Sequence, residues 1–72
     1  MKTEQLVEKL TAAARDLGFS NPSIEVRDTV LSLYGDVSYY HGRTRRHIGY
    51  LTVVKAGYRR NLEKLNELAE AC

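Results

Sequence analysis

The sequence predicts a small α+β domain in the order helix, three-stranded antiparallel meander, helix, with both helices on one face of the sheet. Apolar residues recur at helical spacing near both ends of the chain and alternate with polar residues between about residues 24 and 55. Segments containing glycine or proline separate the three parts. A chain of 72 residues forms one domain, residues 1–72, with one helix layer on one sheet layer.

The first helix is predicted over about residues 4–17. Its apolar side chains fall on one face, at Leu6, Val7, Leu10, Ala13, Ala14 and Leu17. Thr3 is the expected N-cap. Gly18 is the expected left-handed residue after the last turn, with Phe19 folding back in a Schellman-type stop. Pro22 prevents the helix from continuing.

The central part of the chain is rich in β-branched and aromatic residues, which favour strands. We predict three strands at about 24–34, 37–41 and 47–55. Gly35-Asp36 is expected to form a two-residue hairpin turn, and the polar stretch His41 to Arg46 is expected to form the second loop.

One alternative for the strands stays open. Leu31 to Tyr39 can form a single long strand that passes Gly35 with a bulge. The first turn then falls at Arg27-Asp28. The residue types do not decide between the two arrangements.

The second helix is predicted to begin at Gly57. Its apolar stripe comprises Tyr58, Leu62, Leu65, Leu68, Ala69 and Cys72. Arg59 and Arg60 lie in its first turn, where the helix dipole disfavours each cation by about 0.3–1 kcal/mol. They are therefore candidates for contact with an anionic partner, or for pairing with Glu63 at i, i+4.

Composition excludes several classes of protein. The single cysteine, Cys72, excludes an intramolecular disulfide framework. Residues 1–10 lack the apolar stretch of a signal peptide, and no run of about 18 apolar residues would span a membrane. We therefore expect a cytoplasmic protein. The net charge of +2 is too small to diagnose nucleic-acid binding by itself.

Positive charge and aromatic rings are concentrated between Tyr39 and Tyr50. A short β-ribbon carrying arginines can follow a phosphate backbone or enter a groove, and neighbouring tyrosines can stack on unpaired bases. Arginine also binds carboxylates, so an acidic protein surface is an alternative target, and a solvated loop is a third interpretation. The predicted binding residues are Arg43, Arg45, Arg46, His41, His47, Tyr40, Arg59 and Arg60.

No motif indicates catalysis or a bound metal. The chain has no Gly-rich phosphate loop, no G-x-S-x-G and no H-E-x-x-H. Cys72 is expected to be unreactive beside the terminal carboxylate. His41 and His47 can face each other across the hairpin, but no third ligand is near. The carboxylates in or beside strands are expected to be turn residues or cross-strand partners: Glu25, Asp28 and Asp36. We predict no enzyme activity, no cofactor and no metal.

The order helix, three strands, helix in a chain of this size resembles that of double-stranded-RNA-binding domains. That family has a lysine-rich signature at the start of its second helix and a Gly-Pro-x-His loop between its first two strands. Here the second helix begins Lys55-Ala56-Gly57-Tyr58-Arg59-Arg60, so no functional residue is transferred. The same size and order occur among small phage-encoded inhibitors of host defence, including some anti-CRISPR proteins.

The sequence thus favours a non-catalytic binding module that contacts a polyanionic partner, a nucleic acid or a nucleoprotein complex, through a basic hairpin tip. The alternative is a small inhibitor or adaptor that contacts an acidic or nucleic-acid-binding protein surface. A monomer or weak homodimer is expected. The hairpin arginines and the start of the second helix should lie about 25–30 Å apart, at opposite ends of the last strand.

Overall fold

The computed structural model of the chain describes residues 2–71 and confirms the predicted fold class. Its elements are α1 (Thr3–Asp16), β1 (Ser23–Arg27), β2 (Val30–Tyr39), β3 (Gly42–Val53), a 3-10 turn (Val54–Ala56) and α2 (Gly57–Ala71). The strands form an antiparallel sheet in the order β1-β2-β3. No helix within residues 2–71 is long and apolar enough to cross a membrane.

Helix α1 begins and ends one residue earlier than predicted, and it ends in the predicted type of stop. Gly18 has φ 102°, its N–H donates to the Arg15 carbonyl, and the Phe19 N–H donates to the Ala14 carbonyl, both at 3.1 Å. This is the Schellman arrangement. The predicted N-cap Thr3 is wrong, because the first helical bond runs from the Leu6 N–H to the carbonyl of Lys2, which is the N-cap.

The predicted turn at Gly35-Asp36 is wrong. The alternative of one long strand is confirmed, but the bulge it placed at Gly35 is absent, because residues 34–36 pair in unbroken register with residues 47–45. Strand β2 runs without interruption through Gly35 and Asp36. The first turn falls at Asp28-Thr29, one residue later than the alternative placed it, with Asp28 in the left-handed region at φ 56°. Aspartate tolerates that conformation better than most residues.

Long-range contacts explain why Gly35-Asp36 does not turn. Gly35 is buried, and a Cβ at this position would lie 2.7 Å from Cδ1 of Ile48. The Asp36 N–H donates to the Ser20 carbonyl at 2.9 Å, which ties the α1–β1 loop to the side of β2. Gly35 therefore serves close packing rather than chain reversal.

The predicted second loop, His41 to Arg46, is also wrong. Strand β3 begins at Gly42, which pairs with Tyr39, so only Tyr40 and His41 form the hairpin tip. Gly42 has φ 129°, a conformation that favours glycine. The predicted bounds 24–34, 37–41 and 47–55 are therefore replaced by those of β1, β2 and β3.

The core lies between the helices and one face of the sheet. Helix α1 packs beside β1, α2 packs beside β3, and the two helices contact each other. The buried apolar side chains are Leu6, Leu10, Ala14, Ile24, Leu31, Leu33, Leu51 and Leu65. Cys72, predicted to extend the stripe of α2, lies outside the described residues. The other sheet face, called here the open face, carries no helix.

One buried polar residue, Asn61, fixes the start of α2 to the end of β3. Asn61 is 0% exposed. Its Oδ1 accepts from the Thr52 N–H at 2.9 Å and from the Thr52 hydroxyl at 2.7 Å, and its Nδ2 donates to the carbonyls of Gly57 at 2.7 Å and Val53 at 3.3 Å. Every polar atom of the side chain is thus satisfied, as burial requires.

Candidate nucleic-acid interface

The β2–β3 hairpin projects beyond the core as a two-stranded arm, defined here as residues 37–46. Every residue from 38 to 47 is exposed, and Tyr40 at the tip is 98% exposed. The molecule is accordingly elongated, with principal extents of 40 × 22 × 16 Å. The predicted binding residues of this region therefore lie on a paired ribbon and its tip rather than in a loop.

Strand register divides the three arginines of the arm between its two faces. Arg43 lies opposite Ser38, and Arg45 lies opposite Asp36. Arg43 and Arg45 therefore lie on the open face, because side chains alternate along a strand and Leu31 and Leu33 of β2 occupy the helix face.

Arg46 points to the other face of the arm. It lies opposite Gly35, and its Nη1 donates to the Tyr39 hydroxyl at 2.7 Å. Both side chains are exposed, so this hydrogen bond is in contact with solvent. The arm therefore presents guanidinium groups on both of its faces.

Two bulges in β3 decide which residues share the open face. Leu33 pairs with Gly49 but Tyr34 pairs with His47, which leaves Ile48 as an extra residue. A second shift lies between Val30 and Ser32, opposite the end of β3. In a regular strand, residues 47 and 50 would point to opposite faces. The bulge at Ile48 places both on the open face.

The result is an aromatic row, defined as Tyr34, His47 and Tyr50. The ring centroids of Tyr34 and His47 are 5.2 Å apart with the planes at 66°, and those of His47 and Tyr50 are 4.6 Å apart with the planes at 60°. Ser32, directly opposite Tyr50, is only 3% exposed, although it lies on the face without helices. Tyr50 itself is 61% exposed and presents much of its surface to solvent.

Charge is strongly segregated along the chain. Residues 37–62 contain six of the eleven lysines and arginines and none of the nine acidic residues. The rest of the chain, with five basic and nine acidic residues, therefore carries a formal charge of −4. The cationic segment comprises the arm, the remainder of β3 and the first turn of α2, so one edge of the molecule is positive despite the small net charge.

Arg59 and Arg60 lie at the far end of this cationic edge. Both are exposed in the first turn of α2. The expected Arg59–Glu63 pair does not form, since within residues 2–71 the single salt bridge joins Lys64 to Glu67 at 3.5 Å. Strand β3 separates the two basic sites, with about 25 Å between residues 45 and 53 at about 3.3 Å per residue.

The remaining candidate residues are dispersed. His47 lies across from Tyr34, so the two histidines do not face each other, and His41 at the tip contacts Tyr40 instead, with centroids 5.3 Å apart. Asp36 accepts a hydrogen bond from Asn21 at 3.4 Å. Within residues 2–71, no three His, Cys, Asp or Glu side chains form a group that could hold a metal ion.

A shallow groove lies at the opposite edge of the molecule, between α1 and β1. Its volume is about 360 Å³, and its lining residues are Thr3, Glu4, Val7, Glu8 and Val26. Two of these residues are acidic and none is basic. The groove therefore does not favour an anionic ligand, in contrast to the β3 edge.

Sequence reasoning counted Tyr50 among the aromatic residues of the basic segment but not among the predicted binding residues, and it missed Tyr34 as a neighbour of His47. The contact of both tyrosines with His47 depends on the bulge at Ile48, and the only local sign of that bulge is Gly49, whose Cβ would lie 2.7 Å from Cδ2 of Leu68. The absence of acidic residues from 37 to 62 was, by contrast, readable from the chain.

Fold and surface together define a class of protein: a small, open-faced α+β domain with a projecting cationic β-hairpin. No protein family, no curated protein and no solved structure matches the chain. The function proposed below therefore follows from the chemistry of this surface.

Proposed function

We propose that this protein is a non-catalytic binding module whose arm contacts a polyanionic partner, a nucleic acid or the nucleic acid of a nucleoprotein complex. The observation that carries the proposal is the arm itself. Residues 38–46 are all exposed, and the arm bears three arginines and no carboxylate.

The shape of the arm supports this partner. A two-stranded β-ribbon is narrow enough to enter the major groove of DNA or to lie along a phosphate backbone. Arg43 and Arg45 on one face and Arg46 on the other can contact phosphates on both sides of the ribbon. Arginine suits this role because its planar guanidinium binds phosphate through two parallel hydrogen bonds.

The dispersal of the titratable residues supports a binding role rather than catalysis. A general acid and a general base that act together must both lie within hydrogen-bond reach of one substrate. Glu25 lies on β1 opposite Ser32, Asp36 lies on β2 opposite Arg45, and His41 lies at the tip of the arm.

The test is a titration against fluorescently labelled single- and double-stranded DNA and RNA at two salt concentrations. We expect binding that weakens steeply with salt, because each phosphate contact contributes about 0.7–0.9 to the slope of log K against log salt. The triple variant Arg43→Ala/Arg45→Ala/Arg46→Ala should reduce that slope by about 2–3. Its melting temperature should stay within about 3 °C of wild type, because exposed charges contribute little to folding.

A matched control separates local charge from net charge. The triple variant Lys2→Ala/Lys9→Ala/Arg15→Ala removes the same number of positive charges from exposed positions at or near α1, away from β3. It should bind almost as wild type does. Normal binding by the arm variant would contradict the proposal, and absence of any nucleic-acid binding at low salt would favour an acidic protein surface as the partner.

A further inference from the structure

We infer that the open face binds a single-stranded nucleic acid, with bases stacked on the aromatic row and phosphates held along β3. This inference rests on the function proposed above and narrows its partner. The observation behind it is that the aromatic row and two arginines of the arm occupy one continuous surface.

The order of side chains along β3 shows this continuity. From the tip towards the core, the open face of β3 presents Arg43, Arg45, His47 and Tyr50. Alternate residues of a strand are about 6.6 Å apart. A chain that lies along this strand would therefore meet two guanidinium groups and then two aromatic rings, without leaving the face.

Exposed rings favour unpaired bases over a duplex. The bases of a duplex are stacked on one another, so a protein ring reaches the face of a base far more easily when that base is unpaired and unstacked. Stacking on an aromatic side chain is sequence-tolerant, because every base has a π-face. Tyr50, at 61% exposure and at the free edge of the sheet, is best placed to accept one.

Carboxylates on the open face indicate the path that the sugar-phosphate backbone of the nucleic acid would take. Glu25 on β1 and Asp36 on β2 repel phosphate from the centre and the far side of the sheet. The β3 edge has no acidic residue from 37 to 62. The phosphates should therefore follow β3, and the bases should point inward across Tyr50 and His47 towards Tyr34.

The test compares fluorescence anisotropy with a labelled oligothymidylate of roughly 15 nucleotides and with a duplex of equal length. Tyr50→Ala should lower single-strand affinity by about 10-fold, because it removes one stacking platform. Its duplex affinity should change by less than about 2-fold. Tyr50→Phe, which keeps the ring, should retain the single-strand affinity of the wild-type protein. Arg43→Ala/Arg45→Ala should lower the affinity for both the single strand and the duplex.

A second variant controls for loss of apolar surface. Val26 is 39% exposed on the helix face of β1, and Val26→Ala should leave both affinities unchanged. The stacking inference would be overturned if Tyr50→Ala weakened the binding of both ligands equally, or if it left single-strand binding unchanged. In either case, binding that still depends on Arg43 and Arg45 would continue to support the proposed function. Failure of the wild-type protein to bind either ligand would overturn both.

Discussion

Asn61 shows how a single polar side chain can set the position of a helix in a small domain. It occupies the apolar stripe of α2, three residues after Tyr58 and four before Leu65. Four hydrogen bonds to Thr52, Val53 and Gly57 hold it, and these residues bracket the junction between β3 and α2. A leucine at this position would fill space but leave the Thr52 N–H without this partner.

Asn61→Ala should lower the free energy of unfolding by about 2–4 kcal/mol, because it leaves buried donors and acceptors unpaired and opens a cavity. Urea denaturation followed by circular dichroism measures the change. The matched control is Asn66→Ala in the same helix. Its amide also donates to the carbonyl four residues earlier, at 2.9 Å, but the residue is exposed. The control should cost less than about 0.5 kcal/mol, and equal costs for both variants would refute the anchoring role.

At the scale of elements, the hairpin of β2 and β3 has a packed root and an unpacked arm. The root is where Gly35 lies beneath Ile48 and against the Ser20 carbonyl. Beyond it, residues 38–47 are all exposed, so neither helix buries them. Root and arm should therefore respond differently to substitution.

Gly35→Ala should destabilise the protein by about 1–3 kcal/mol, because the added methyl meets Ile48 at 2.7 Å and the Ser20 carbonyl at 3.3 Å. Thermal unfolding measures the effect. Ser38→Ala, three residues further along the same strand and exposed, should shift stability by less than about 0.5 kcal/mol. If the two substitutions prove equally mild, Gly35 is not packed as described.

The strand region also shows what the sequence could and could not predict. The helices were predictable because the period of residues such as Leu6, Leu10 and Leu65 reports directly on burial. The local turn signal at Gly35-Asp36 gave a wrong prediction, because two long-range contacts override it. Gly35 packs against Ile48, 13 positions away, and the Asp36 N–H donates to Ser20, 16 positions away. The bulge at Ile48 was not predictable, since it depends on the register of β2 against β3.

For the binding residues, the sequence showed which segment of the chain carries the positive charge, but it did not predict which face of the sheet each arginine occupies. Arg43, Arg45 and Arg46 were expected at one loop, and strand alternation instead sends Arg46 to the opposite face. The contact of His47 with Tyr50 required the bulge. Side-chain direction on a strand follows from register, so an error of one residue changes the face of every side chain.

At the scale of the whole molecule, the separation of charge matters more than the net charge of +2. A cationic edge beside a body of formal charge −4 orients an approaching polyanion before contact, because the field attracts it on one side and repels it on the other. This steering should weaken as salt shortens the screening length to about 8 Å at physiological ionic strength.

The two ends of the cationic edge should contribute unequally. Arg59→Ala/Arg60→Ala should weaken nucleic-acid binding less than the arm variant does, and it should stabilise α2 by about 0.3–1 kcal/mol per residue by removing cations from the positive end of the helix dipole. Parallel anisotropy titrations and thermal melts test both effects. A loss of affinity as large as that of the arm variant would show that the partner depends on both ends of β3.

Because the arm consists of paired strand residues beyond the core, its length can change by whole residue pairs. The pairs Val37–Thr44 and Ser38–Arg43 are two rungs of a ladder that closes at Tyr39–Gly42. Deleting both rungs would draw the tip back by about 7 Å. Asp36 would still oppose Arg45, and every remaining side chain would keep its face, since an even number of residues leaves each strand. The hairpin can thus be shortened or lengthened by two residue pairs at a time without any change to the domain that carries it.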